Sequence, residues 1–572
     1  MGRGCSRTVE RVAAAIGFLQ EAPLKFSRSI DVVNGGVLFA LPALLVNGLL
    51  RRTAEHFSLP KGFYGLVSIF LLLGYMAVAR IRSIEKLRYE TPGEMGRLLG
   101  LDRIPEVRTL RNKLEVLSRQ GTSAAWSAGL SNEWMESDPE LAGILYVDGH
   151  TRTYHGSMTK LPRRYVSRER LCLRGMTDYW VNDAIGRPFF VISTVFTDGL
   201  LSMLREKIVP RLMADVPHQP TEAHLKSDPC MARFALVFDR EGFSPQFFKE
   251  MWELRIACYT YNKFVKDSWP EEEFSDYTVC FADGQSVVMR LAERGVFVSG
   301  KLWMREIRKM TKCGHQTSLL TTAYNVETGK AAAALFSRWS QENFFKYMRE
   351  QFGIDRLIEY ETAELPDTAE VINPRYRQIE SQIKSKAALL YRKRALFGTI
   401  VLEETPTEEK YLQRYELKKA SVQEEIVCLN NELCSLKEKR KGLPKHIPIN
   451  QLEPQDRFSK LAEDKKQIMD TVKMIAYRAE TSMAEIIRPL MSRENDARSL
   501  LQKVFTTEAD ILPDEKEGTL TVTLHNLAND SSDKVVHELC AALNETETIY
   551  PGSNLKLIYK MVSDDFLRGK DF

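Results

Sequence analysis

Cysteine is scarce and scattered. Nine cysteines stand singly among 572 residues, with no C-x-x-C pair and no Cys/His pair at ligand spacing, which argues against a disulfide framework or a structural zinc site and for reduced thiols in a cytoplasmic setting. Net charge is small too: 80 Lys and Arg against 76 Asp and Glu leave +4, so the total names no polyanionic partner and local clustering has to do so. Internal repeats are absent, and long clean apolar runs nearly so. Residues 32–50 and 62–79 are uncharged and approach the roughly 20 residues of a membrane span. The first is interrupted by Asn34, Gly35, Gly36, Pro42, Asn47 and Gly48, poor material for one continuous helix. The second places Leu66, Phe70, Leu73 and Ala77 at helical spacing and suits a helix buried in a protein core. A membrane hairpin, and with it a membrane-associated nuclease, is the competing interpretation.

What is present suggests several domains. Residues 1–125 read as a helical domain. Within it, residues 91–115 imply two short helices, the second opened by Pro105. On that second helix Val107, Leu110 and Leu114 share one face, leaving Arg108, Arg111 and Asn112 outward, as a helix-turn-helix recognition element requires. A plain helical pair with a solvated basic face fits the same stretch. After a polar linker, residues 140–365 alternate strand-like runs (144–148, 189–196, 234–239) with helical ones (200–214, 244–254), the pattern of an α/β domain. A block of short strand candidates at about 270–328 reads as a β-rich insertion. Residues 372–445 read as a helical hairpin or coiled coil, with Tyr376, Ile379, Ile383, Ala387 and Leu390 matched by Val422, Ile426, Leu429, Leu433 and Leu436. Residues 446–572 read as a small mixed α/β module.

Acids carry the chemical argument. The run Ile144–Val147 leads to Asp148, and the run Phe234–Phe238 leads to Asp239, with Ser244 placed to cap the next helix. In a sheet with parallel strands such ends lie side by side and face one crevice. Glu342 follows on a helix whose apolar residues, Phe336, Phe344 and Met348 among them, leave Arg338 and Glu342 on a more polar face. Three carboxylates of this kind suit hard divalent cations, which accept oxygen donors rather than His or Cys. Taken one at a time, each acid is better explained as a turn or capping residue; the three together in this order reverse that preference. Residues 151–175 add Arg152, Lys160, Arg163, Arg164, Arg168, Arg170 and Arg174 against Glu169 alone, with Tyr154 and Tyr165 interleaved, a candidate track for a phosphate backbone.

At "YVDGH", "VFDREG" and "RWSQENFFKYM" the chain resembles the DDE transposases of bacterial insertion sequences, over roughly residues 141–359. In one branch of that family the last acid lies in Tyr-x2-Arg-x3-Glu-x6-Lys; here Arg338 and Glu342 match, Leu335 replaces the Tyr and Arg349 the Lys. The resemblance implies an α/β ribonuclease-H-like core with a β-rich insertion, an N-terminal helical DNA-binding domain and a C-terminal helical region. It implies catalysis by Asp148, Asp239 and Glu342 holding two Mg2+ ions, with Mn2+ as a substitute. Arg108, Arg111, Asn112, Arg152, Arg163, Arg164, Arg338 and Arg349 become the expected DNA contacts. The implied reaction is cleavage at the terminal repeats of an insertion element and transfer of the freed 3′-hydroxyls to target DNA, by a homodimer in the bacterial cytoplasm at the nucleoid. A catalytically inactive DNA-binding derivative of such an enzyme is the alternative.

Overall fold

The computed structural model describes residues 5–154, 161–166, 169–195, 199–265, 267–282, 284–299, 302–355, 362–363, 370–402, 409–453, 460–461 and 463–562. Two compact units divide the chain: the larger holds residues 1–155, 165–361 and 461–572, the smaller residues 156–164 and 362–460.

A large sheet organises the first unit. Nine of its ten strands are β1 (Ile144–Tyr154), β2 (Leu171–Asn182), β3 (Pro188–Val195), β4 (Phe234–Phe238), β5 (Ile256–Tyr261), β6 (Ser275–Cys280), β7 (Ser286–Val298), β8 (Leu302–Met310) and β9 (Gln316–Thr321). They lie in the order β3-β2-β1-β4-β5-β9-β8-β7-β6. Strands β1, β4 and β5 are mutually parallel, and every other neighbouring pair is antiparallel. The segment expected to be a β-rich insertion is therefore no separate body: β9 pairs with β5, Leu319 opposite Tyr261, and the sheet runs on without a break. All five residues of β4 are buried, as a strand flanked by parallel neighbours and covered on both faces must be.

Helix α1 (Leu66–Val78) buries ten of its residues, and among the described residues no helix is long and apolar enough to cross a membrane. The first apolar run is broken for a reason of packing. Asn34 adopts φ 58°, and the glycines after it lie against the C-terminal part of the unit. A Cβ on Gly35 would meet Ala509 Cβ at 2.6 Å, and one on Gly36 would meet the Val504 carbonyl oxygen at 1.8 Å. Strand Ser29–Val32 pairs with Ala509–Asp514, which pairs in turn with Thr519–Leu524. Residues from both ends of the chain thus build one sheet, and the boundaries expected near 125 and 446 do not separate compact units.

Helix α2 (Val107–Ser118) buries Val107, Leu110, Leu114 and Leu117 and exposes Arg108, Arg111 and Asn112, as its periodicity predicts. Helices α3 (Thr328–Phe336) and α4 (Arg338–Tyr347) follow the sheet.

In the smaller unit, α5 (Pro374–Leu402) and α6 (Glu409–Lys441) form a hairpin in which Ile383, Leu390, Leu429 and Leu433 bury one another, flanked by Lys386–Glu432 at 2.7 Å. The heptad-like stripe is thus satisfied within one chain. Residues 403–408, at the expected break, lie outside the described residues.

In the first unit, α7 (Asp464–Ile487) runs through the interior. The sequence suggests two helices meeting near residue 482; one helix continues through it. Its Lys466 joins a buried cluster in which Arg152 Nε lies 2.5 Å from Asp178 Oδ2, Lys466 Nζ 3.2 Å from the same oxygen, and Ser193 donates to Asp178 Oδ1 at 2.6 Å. Burial opposes the Asp178 charge, but Arg152 and Lys466 outweigh it and hold the carboxyl well below its usual range. Replacing Asp178 with Ala leaves two buried cations facing each other, and we expect a loss of about 3–5 kcal/mol of stability in denaturant titration.

Candidate active site

Alternation along β1 sends Tyr146, Asp148 and His150 out of the same face, and α4 covers that face. Gln341 Nε2 donates to the Tyr146 carbonyl at 3.1 Å and to the Trp180 carbonyl at 3.4 Å. Tyr146 Oη donates to the Ala334 carbonyl on α3 at 2.5 Å. His150 stacks on Phe345 at 5.3 Å between centroids and meets Asp355 through Nε2. Asp148 sits between these anchors. It does not end its strand: β1 continues to Tyr154, and Gly149 is no turn residue. Gly149 is required because a Cβ there would lie 2.9 Å from the Tyr179 ring.

The second acid is placed by register. Val147 pairs with Phe238 in the parallel β1–β4 ladder, so Asp148 comes level with Asp239 one step on, on strands about 4.8 Å apart. Val237 pairs with Tyr259, which two residues on sets Asp239 level with Tyr261. The Asp239 carboxylate accepts from the Arg240 N–H at 2.7 Å, opening the short turn Arg240–Gly242. Ser244 then caps the helix Pro245–Glu253, accepting from the Phe247 N–H at 3.3 Å.

The third acid arrives through an arginine. Arg338 opens α4, with Nη1 3.5 Å from Asp148 Oδ2 and Nη2 2.5 Å from Glu342 Oε1 one turn further along the helix. Burial disfavours the Arg338 charge, but Asp148, Asp239 and Glu342 together more than compensate and raise its pKa. Its guanidinium also lies 5.7 Å from the Tyr261 ring centroid. The three acids thus share one guanidinium. Their donor atoms do not all lie within 4.8 Å of one another: among the described residues only Asp31, Asp510 and His525 do. That second group is partly exposed, with His525 Nε2 3.2 Å from Asp510 and 3.5 Å from Asp31.

Burial pushes the Asp148 carboxyl up to about 6; Arg338 and the Gly149 N–H pull it down, while Asp239 and Glu241 push it further up. Excess negative charge made of hard oxygen donors, where the parallel β1–β4 pairing ends, fits a divalent cation. The segment after β5 lines a cavity of about 580 Å³, with Phe243, Asn262, Lys263 and Phe264 among its walls and none of the three acids.

The expected basic track loses Arg152, keeps Arg163 and Arg170 exposed, and includes Lys160 and Arg168, which lie outside the described residues. Arg152 is sealed in its pair with Asp178 and so faces no phosphate, because β1 continues past Asp148 and carries it back into the core. Tyr154 is buried. Arg163 is exposed, and the side chain of Arg164 lies outside the described residues. Arg111 is paired with Glu85, and Arg349 lies 3.9 Å from Glu350. Asp183, another acid near the sheet, is buried and paired with Arg187 at 2.7 Å. Sequence inspection passed over Gln341 and Tyr261, whose importance comes from what lies opposite them; the one local hint was a Gln immediately before Glu342.

The family comparison decides the class. A family model described as transposase protein matches residues 2–563. The chain belongs to this transposase family. No curated protein matches this transposase. A solved structure, the cryo-EM structure of a piggyBac transposase synaptic complex with hairpin DNA, shares 11% identity with it across 86% of this chain and 89% of that one, at a TM-score of 0.26; so loose a superposition decides neither fold nor chemistry.

Because the folded pKa of Asp148 is above that of an unfolded Asp, its contribution to stability is fully present below about pH 4 and lost as pH rises through about 6. In metal-free transposase we expect Asp148→Asn to gain about 2 kcal/mol over wild type at pH 7.5 and nothing at pH 4, measured by chemical denaturation at both values.

Proposed function

We propose that this transposase is a DDE-type polynucleotidyl transferase with a ribonuclease-H-like core. The observation that carries this reading is the register that sets Asp148 beside Asp239 just past the end of the parallel β1–β4 pairing, with Glu342 tied to them through Arg338. Three antiparallel strands followed by two parallel ones, in the order third, second, first, fourth, fifth, support the assignment of the core. Asp148, Asp239 and Glu342 would hold the metal. Bound Mg2+, or Mn2+ in its place, would activate a water or a 3′-hydroxyl and stabilise the leaving oxygen of the phosphodiester.

The chain's own residues supply placement. Gln341 and Phe344 fix α4 across β1 and β2, which holds Glu342 over the crevice. Lys263 and Phe264, both exposed and shortly after Tyr261 in the chain, offer a cation and a stacking surface for single-stranded DNA. Arg108 and Asn112 on the open face of α2 serve to read the element ends, with Arg111, Arg163, Arg164 and Arg349 as further phosphate contacts. Two ends have to be joined, so the reading includes a homodimer on DNA, of the kind an insertion element encodes.

Purified protein incubated with its flanking element ends and Mg2+ tests the reaction. Wild type is expected to nick and join those ends, and Asp239→Ala, folded by circular dichroism, to lose at least about 1,000-fold of that rate, the scale of removing a group that stabilises transition-state charge. Folded wild type that neither cuts nor joins them refutes the proposal. In fluorescence anisotropy, Arg108→Ala with Asn112→Ala is expected to weaken binding to the element ends about tenfold or more while leaving binding to unrelated duplex within a few fold. Equal losses on both DNAs would remove α2 from recognition.

A further inference from the structure

We propose that Arg338 is a resident counter-cation of the acidic site, and that a divalent ion enters by displacing its guanidinium from between Asp148 and Glu342. The inference rests on the reading of the three acids as a metal site, and goes beyond it by assigning Arg338 a role opposed to metal binding.

Four observations converge. The guanidinium spans the crevice, touching Asp148 through Nη1 and Glu342 through Nη2, with Asp239 acting on it electrostatically. It stands between Asp148 and Glu342, and the donor atoms of the three acids do not all lie within 4.8 Å of one another. Its grip is uneven: the contact to Asp148 is 3.5 Å, and Nε is buried with no hydrogen-bond partner, although a well-seated guanidinium uses its planar fork of donors in parallel. Finally, the acid on which it closes most tightly is the free one. The Glu342 side chain is 59% exposed against 13% for Arg338, so Glu342 can turn inward with little repacking once the guanidinium leaves.

The elementary physics gives the sign. One positive charge among three negative ones lowers the attraction of the site for a second cation, and a crevice of low dielectric magnifies that effect. Removing the charge while keeping a polar side chain should tighten divalent binding, whereas a side chain used only to position Glu342 would loosen it when lost. Lysine keeps the charge and should behave as wild type does.

The test titrates Mn2+ into full-length, DNA-free protein by electron paramagnetic resonance, comparing wild type, Arg338→Gln, Arg338→Lys and each of these with Asp239→Asn, with thermal melting to establish that all are folded. Expected results are a Kd at least tenfold lower for Arg338→Gln, a Kd within threefold of wild type for Arg338→Lys, and loss of that binding with Asp239→Asn. Unchanged or weaker binding by Arg338→Gln overturns the displacement while leaving the metal site standing. Binding that survives Asp239→Asn unchanged belongs to other groups, such as Asp31, Asp510 and His525, and overturns it as well. Absence of binding in every variant refutes the metal site itself.

Discussion

Helix α7 carries Lys466, Asp470, Lys473, Arg478 and Glu480 into the interior, each no more than 4% exposed, and the packing around it is governed by the need to give every one of them a partner. Lys466 answers Asp470 and Asp178, and Lys473 donates to the Gly353 carbonyl at 3.3 Å. Arg478 donates to the Pro188 carbonyl at 3.2 Å and lies 4.7 Å over the Trp134 ring. Glu480 receives Arg80 at 2.7 Å and the Tyr347 hydroxyl. These partners come from the N-terminal helices, the large sheet and the segment that closes α4, so one helix holds together regions hundreds of residues apart.

That arrangement reaches the candidate site through α4. The end of the helix is fixed by Tyr347 on Glu480, its middle by Phe344 against Trp180 and Tyr477, and its start by Gln341 on the β1 and β2 carbonyls. With α4 held at three levels, only the outward side chains of its first turns, Arg338 and Glu342, are left to answer the acids on the strands. A rigid scaffold under an excess of negative charge is the setting in which a single guanidinium can decide what else binds.

Much of this was legible locally. Runs of apolar residues marked β1, β3 and β4, Ser244 marked a helix start, the stripe on residues 376–436 marked a hairpin, and Val107, Leu110 and Leu114 marked the buried face of α2. Each of these is written in a period of two or of three to four residues, which the chain fixes before it meets anything distant. Two acids after apolar runs were visible for the same reason. Arg152 shows where that logic stops: a basic residue in a basic stretch looks solvated, yet its partner Asp178 lies on a neighbouring strand and cannot be recognised from spacing.

The amino-acid sequence by itself determined which segments are helix or strand, which faces are apolar, and which side chains have the chemistry to hold a cation or a phosphate. Tertiary structure alone decided that the strands of residues 275–321 continue the central sheet, that Ser29–Val32 joins strands near the other end of the chain, and that Arg338 stands among Asp148, Asp239 and Glu342. The physical reason is that backbone pairing and burial are non-local. Any apolar strand presents much the same ladder of donors and acceptors to any other, so register and partner are selected only when the whole set of faces and buried charges has to be satisfied at once.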